Sequence, residues 1–146
     1  MIARRTFMAG TMSALAAPSD RVRIAVIGVR GRGAVLTGDF LGVPNVEVAA
    51  LVDVDSRVFG KAGKLVADKS GKPASQYADL RRVLDDRTID AVVVATPDHW
   101  HGPATLLACA AGKDVYVEKP CSHNLREGRL MVEAAERHKR IVHVGT

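Results

Sequence analysis

The chain reads as an α/β domain built on a doubly wound parallel sheet, and three observations predict it. Five apolar runs rich in Val, Ile and Ala occupy residues 21–27, 46–52, 91–95, 114–117 and 141–144. They lack the polar alternation of a half-solvated strand, as expected where helices cover both faces. Helix-like stretches separate them at the spacing of βαβ units, which calls for parallel strands and right-handed crossovers. The first run ends in a glycine turn, Gly28-Val29-Arg30-Gly31-Arg32-Gly33, the device by which a strand turns tightly into a helix.

In order, the strand at 21–27 leads through that turn into a helix expected over 33–41. The run 46–52 follows, then a helix over 56–69 with Ser56 or Asp55 as cap and Lys69 in its last turn. A weak strand near 74–77 and a short helix over 78–85 come next. After the strand at 91–95, a helix over 103–111 starts near Pro103 and stops at Gly112, which suits the position after a helix end. The strand 114–117 precedes a helix over 125–138 with Leu130, Met131, Ala134 and His138 on one face. The strand 141–144 runs to Gly145-Thr146, and nothing remains for a second domain.

With 146 residues there is one core, not two. A hydrophobic share of 47% and a charged share of 25% describe a soluble globular protein without a membrane span. The net charge of +5 is dispersed, and no basic stripe is interleaved with aromatics, so nucleic acid is not an expected partner. Cys109 and Cys121 have neither disulfide-framework nor CxxC spacing. Cys109, among alanines and leucines, reads as a buried thiol. Residues 1–17 read as a leader of twin-arginine type, with Arg4-Arg5, a short apolar stretch and the cleavage-like Ala14-Leu15-Ala16. That predicts an exported, periplasmic protein; a frayed basic tail on a cytoplasmic one is the other reading. The globular domain is then 18–146.

Gly28 to Gly33 matches G-x-x-x-x-G, with Arg30 where a dinucleotide fingerprint has its middle glycine. The turn still brings backbone N–H groups and a helix start to an anion. Asp53 ends the second strand twenty positions after Gly33, where a carboxylate accepts from the adenosine ribose hydroxyls; a helix cap is its other reading. The domain is therefore expected to be Rossmann-type, binding NAD, while Arg30 and Arg57 leave NADP open.

Ligands of such sheets lie beyond the carboxyl ends of the strands. Those ends hold Gly28, Asp53, the segment Thr96-Pro97-Asp98-His99-Trp100-His101, and Glu118-Lys119-Pro120. Val94-Ala95-Thr96-Pro97 with His101, then Ala111-Gly112-Lys113-Asp114-Val115-Tyr116-Val117-Glu118-Lys119-Pro120, resemble the amino-terminal domain of the Gfo/Idh/MocA oxidoreductases. The likeness runs over 21–146, and the E-K-P tripeptide is its most specific part. The Asp98-His99-Trp100-His101 form and the leader resemble the exported subset, which includes sugar dehydrogenases and NAD-dependent glycoside hydrolases.

The resemblance implies a nicotinamide-dependent hydride transfer to or from a small sugar or polyol, in a protein that is a homo-oligomer at full length. It implies that Gly28, Val29, Arg30, Gly31, Arg32 and Gly33 hold the pyrophosphate and Asp53 the ribose. Thr96, Pro97, His101 and Glu118 would flank the nicotinamide, and Lys119 and His101 would be catalytic, the lysine in a lysine–proline peptide that is often cis. A second α/β domain, missing here, supplies the remaining catalytic groups. Lys119 also stands on its own chemistry: an ammonium polarises a hydroxyl and stabilises the alkoxide that forms as hydride leaves. A partly buried place beside the nicotinamide is expected for it; a lysine snorkelling from the strand tip is the bland reading. Neighbours on a strand point apart, so a Glu118–Lys119 side-chain pair is not expected. His99 and Trp100 are candidates for touching the substrate, with surface and packing roles as their alternatives. His99 and His101 form H-x-H without a third ligand of suitable spacing, so no metal site is expected. His138, His143, Tyr77 and Tyr116 read as structural.

Overall fold

The computed structural model describes residues 21–145. The expected leader lies outside the described residues. Strands β1 (Val22–Ile27), β2 (Val46–Val52), β3 (Ser75–Tyr77), β4 (Ala91–Val94), β5 (Asp114–Val117) and β6 (Val142–Val144) alternate with helices α1 (Gly31–Phe40), α2 (Phe59–Ser70), α3 (Arg81–Leu84), α4 (His101–Ala110) and α5 (Leu125–His138). The six strands form one parallel sheet in the order β3-β2-β1-β4-β5-β6.

The central strands β1, β2 and β4 are mostly apolar because each contributes to two cores. Ile24, Val26, Val48, Leu51 and Val93 pack with Leu36 of α1 and Phe59, Ala62 and Val66 of α2. Ala25, Ile27, Val52, Val92, Val94, Val115 and Val117 pack on the opposite side with Val83, Leu84, Ala104, Ala108, Cys109 and Met131 of α3, α4 and α5. Alternate residues of one strand thus enter different cores, which is the doubly wound arrangement. Cys109 is fully buried there, and burial pushes its thiol up.

Several boundaries differ from the sequence reading for local reasons. α1 starts at Gly31, two residues early, because the Gly33 N–H donates to the Arg30 carbonyl and closes a turn inside the glycine segment. The helix expected over 56–69 is a 3-10 turn, Ser56–Val58, followed by α2; Asp55, not Ser56, caps it by accepting from the Arg57 N–H. α4 starts at His101 after a 3-10 turn, Asp98–Trp100, so Pro103 lies inside its first turn, where a missing N–H costs nothing. On α5, Met131 and Ala134 meet the core, whereas Leu130 and His138 face solvent. Asn124 caps α5 by accepting from the Glu127 N–H, and the Glu127 carboxylate accepts from the Asn124 amide in return.

Beyond α5, a groove of about 350 Å³ runs between that helix and edge strand β6, lined by Cys121, Met131, Val132, Val142 and Val144 among others. Val132, Ile141 and Val144 are exposed beside it. Among the described residues no helix is long and apolar enough to cross a membrane.

Candidate functional site

In the strand order, β1 hands on to β2 on one side and to β4 on the other. The crevice of a doubly wound sheet opens at this reversal. Backbone packing there is close. Gly28, at φ +83, lies against β4: a Cβ on it would stand 2.8 Å from the Ala95 carbonyl carbon and oxygen. Gly33 lies against the turn itself: a Cβ would stand 1.7 Å from the Gly28 carbonyl oxygen. Gly31 faces open space, with nothing within 4 Å of where its Cβ would be. Next to that space lies the first turn of α1, whose Gly31 and Arg32 N–H groups precede the first turn-closing bond, that of Gly33 to Arg30.

Asp53 follows β2 and ties the two turns together. Its Oδ2 accepts from the Val29 N–H at 3.0 Å and its Oδ1 from the Asp55 N–H at 3.0 Å. Each oxygen keeps a further lone pair for a ligand hydroxyl. Arg30 does not turn toward the space beside Gly31. It pairs with Asp55, and Arg57 donates to the same carboxylate at 2.8 and 2.9 Å. The Arg57 hydrogen bonds, and then the Arg30 charge, hold the Asp55 carboxyl below the usual carboxylate range.

At the other end, Arg32, Ala95, Thr96, Asp98, His101, Glu118 and Lys119 line a crevice of about 490 Å³. Glu118 is buried at its mouth, and its Oε1 accepts from Arg32 Nε at 2.7 Å. Its Oε2 accepts from the Lys119 backbone N–H at 3.1 Å. The two neighbouring side chains diverge as expected. Lys119 is exposed, not partly buried as the sequence reading has it, because Glu118 takes the inward place. The Lys119–Pro120 peptide is cis. His101, only 2% exposed, lies between two carbonyl oxygens: Nδ1 is 2.6 Å from that of Pro120 and Nε2 2.9 Å from that of Thr96. Carbonyls only accept, and a neutral imidazole carries one N–H, so the tautomer decides which of the two receives it.

Thr96 Oγ1 is buried without a partner in a residue that lines the crevice, an open position for a polar ligand group. Pro97 starts the 3-10 turn. His99 and Trp100 sit on that turn, exposed and outside the crevice lining. His99 and His123 both approach the Asp98 carboxylate, at 3.8 and 3.4 Å. Among the described residues no group of three or more His, Cys, Asp or Glu is placed to hold a metal ion. Cys121 borders the α5–β6 groove, away from this crevice.

Two long-range contacts, one in the site and one at the opposite end of the sheet, carry no local sequence signal. The Arg32–Glu118 pair spans 86 positions. Lys113, buried, donates to the Asp86 and Ile89 carbonyls at 2.6 and 2.8 Å and anchors the approach to β4. Glu118 also has a pH signature. Burial pushes its carboxyl up, but the Arg32 hydrogen bond, the Lys119 N–H and both positive charges outweigh it and hold it below the usual glutamate range. A carboxyl lowered in the fold stabilises above its unfolded pKa and loses that contribution as pH falls through its folded one. Thermal melts of wild type and Glu118→Gln should therefore differ most near neutrality and converge in acid. A gap that stays constant down to acid pH would contradict the pairing.

The model of the oxidoreductase family with an NAD-binding Rossmann fold, Gfo/Idh/MocA, matches residues 22–146. The chain belongs to the Gfo/Idh/MocA oxidoreductase family. This Gfo/Idh/MocA domain is 34% identical over 125 residues to a glycosyl hydrolase family 109 protein of Saccharopolyspora erythraea, covering 83% of the chain and 27% of that protein. The matched stretch spans about a quarter of the length of the curated relatives. Among solved structures it is similar to GenD2 from gentamicin A biosynthesis, in complex with NAD, at 29% identity and TM-score 0.75 over 99% of this chain and 37% of that one. It is also similar to the WlbA dehydrogenase of Chromobacterium violaceum, in complex with NADH and UDP-GlcNAcA, at 27% identity and TM-score 0.73 over 88% and 36%. The domain is of the NAD-binding Rossmann type that the sequence predicts. The residues fit that cofactor: open space at Gly31 before a helix start, carboxylate lone pairs at Asp53, and an unpartnered hydroxyl at Thr96.

Proposed function

We propose that this domain holds NAD with the nicotinamide beside Lys119 and serves a larger oxidoreductase that moves a hydride between the cofactor and a sugar or polyol. The observation that carries the reading is the crevice itself: Thr96, His101, Glu118 and Lys119 from separate strand ends converge on one space at the sheet's reversal. The cofactor supplies the hydride acceptor and donor. The first turn of α1 receives the pyrophosphate, and Asp53 accepts from the ribose hydroxyls. Lys119 hydrogen-bonds the substrate hydroxyl and steadies the oxygen as its proton leaves or returns. His101 acts through others: it holds the Thr96 and Pro120 carbonyls and so places the Lys119 turn. The remaining catalytic groups belong to the part of its relatives' length that this chain does not span, so the chain alone is a cofactor-binding module without turnover.

The relatives named as glycosyl hydrolase family 109 proteins, 34% and 39% identical in Saccharopolyspora erythraea and Stenotrophomonas maltophilia, favour a second reading. In it, transient oxidation of a sugar permits loss of its aglycone, and the same Lys119 edge serves. The complex of the Chromobacterium relative with a nucleotide sugar supports a sugar as substrate in either case.

Titration of the purified chain with NAD tests the cofactor site. Wild type is expected to bind, and Asp53→Ala to bind about tenfold more weakly, since it removes the ribose acceptor and strands the Val29 and Asp55 N–H groups. Absence of binding by folded wild type overturns the reading.

A further inference from the structure

Three charged side chains stand at the far lip of the cofactor site. Arg30 comes from the glycine turn, and Asp55 and Arg57 from the turn after β2. The acid is the fixed member. Its own N–H is bound by Asp53, and its Oδ1 accepts from the Arg57 N–H. Its side chain is 19% exposed, against 71% for Arg30 and 86% for Arg57. Two long, exposed guanidinium groups therefore fold onto one anchored carboxylate, two residues beyond the aspartate that faces the ribose. A phosphate ester is met by arginine forks in this same manner. Without its acid, the lip would present two unpaired arginines beside the ribose.

We propose that Asp55 sets cofactor choice in this protein, by occupying the two arginines that would otherwise receive the 2′-phosphate of NADP. It rests on the dinucleotide reading above and adds to it a second acid with a different task. Asp53 accepts from the ribose and repels a phosphate; Asp55 keeps Arg30 and Arg57 from attracting one. The fingerprint's missing middle glycine fits the same picture, since Arg30 leaves the pyrophosphate space for this lip.

Calorimetric titration of the chain with NAD and with NADP tests the proposal, with folding checked by circular dichroism. In Asp55→Asn, which keeps an oxygen to accept from the Arg57 N–H, NADP should bind about tenfold or more tightly while NAD changes less than about threefold. Asp55→Glu should keep the wild-type preference, because the charge is retained. Adding Arg30→Gln and Arg57→Gln to Asp55→Asn should return NADP to its wild-type weakness. An unchanged ratio of the two affinities in folded Asp55→Asn overturns the proposal and leaves NAD binding standing. A tightening of NADP that survives loss of both arginines also overturns it. If folded wild type binds neither dinucleotide, the underlying reading falls as well.

Discussion

A full-length protein carrying Lys119→Ala in this domain should bind NAD as wild type does and turn over the proposed substrate about 10²–10⁴-fold more slowly, the span that a positioned proton-handling group supplies. The separation of effects follows from where the lysine stands. Its side chain is exposed at the crevice mouth, so removing it opens no cavity. What holds the turn is main chain: the Lys119 N–H to Glu118, and the Pro120 carbonyl to His101. Both survive the truncation. Lys119→Arg should be nearly as slow, since a guanidinium keeps the charge but does not exchange its proton. Calorimetry with NAD beside steady-state kinetics reads both halves. Turnover within a few-fold of wild type would remove Lys119 from the chemistry, and an equal loss of NAD affinity would make it a cofactor contact instead.

The second large effect is on the fold. Gly33→Ala should destabilise the chain by about 3 kcal/mol or more, or prevent folding. Its Cβ would stand 1.7 Å from the Gly28 oxygen and 2.8 Å from the carbonyl carbon. Both are backbone, in the segment that leaves β1, so no side chain can swing aside. Gly31→Ala is the control two residues away. It meets open space and suffers only its positive φ of +42, which costs roughly 1–2 kcal/mol. Thermal or urea melts of the two variants should rank in that order. Equal shifts would mean that the turn relaxes enough to admit a side chain and that close packing is not what glycine serves there.

Much of this was legible because the sheet is parallel. Once the apolar runs are strands of one direction, their carboxyl ends share an edge, and Gly28, Asp53, Thr96 and Lys119 are neighbours without any distance being known. The bounds of β2 and β5 came out as read, since their apolar runs stop where pairing stops. The start of α1 did not, because glycines signal a turn while here two of them also begin the helix. Side-chain choices were beyond the sequence. Arg30 had a phosphate or a carboxylate to choose from, and the carboxylate that took it is on another strand's turn. The sequence reading has Lys119 partly buried, yet the buried place is that of Glu118, whose partner Arg32 is distant in the chain. In each case the deciding partner lies far along the chain, where neither periodicity nor spacing reaches.

The buried ring of His101 has a consequence for what may replace it. Its two nitrogens point in opposite directions, each at a carbonyl, across the gap between the end of β4 and the turn after β5. A side-chain amide carries its nitrogen and oxygen on one terminal carbon, and a hydroxyl is a single atom; neither spans both walls. Imidazole is short and flat and carries its two nitrogens at opposite edges, with its tautomer deciding which carbonyl receives the N–H. The position is therefore a gauge: it sets the width between two loops that arrive from different strands, and drift in either loop has to keep that spacing. A designer wishing to widen this crevice for a bulkier ligand would have to rebuild the span first, because enlarging the mouth while the crosspiece stays leaves the jaw where it was.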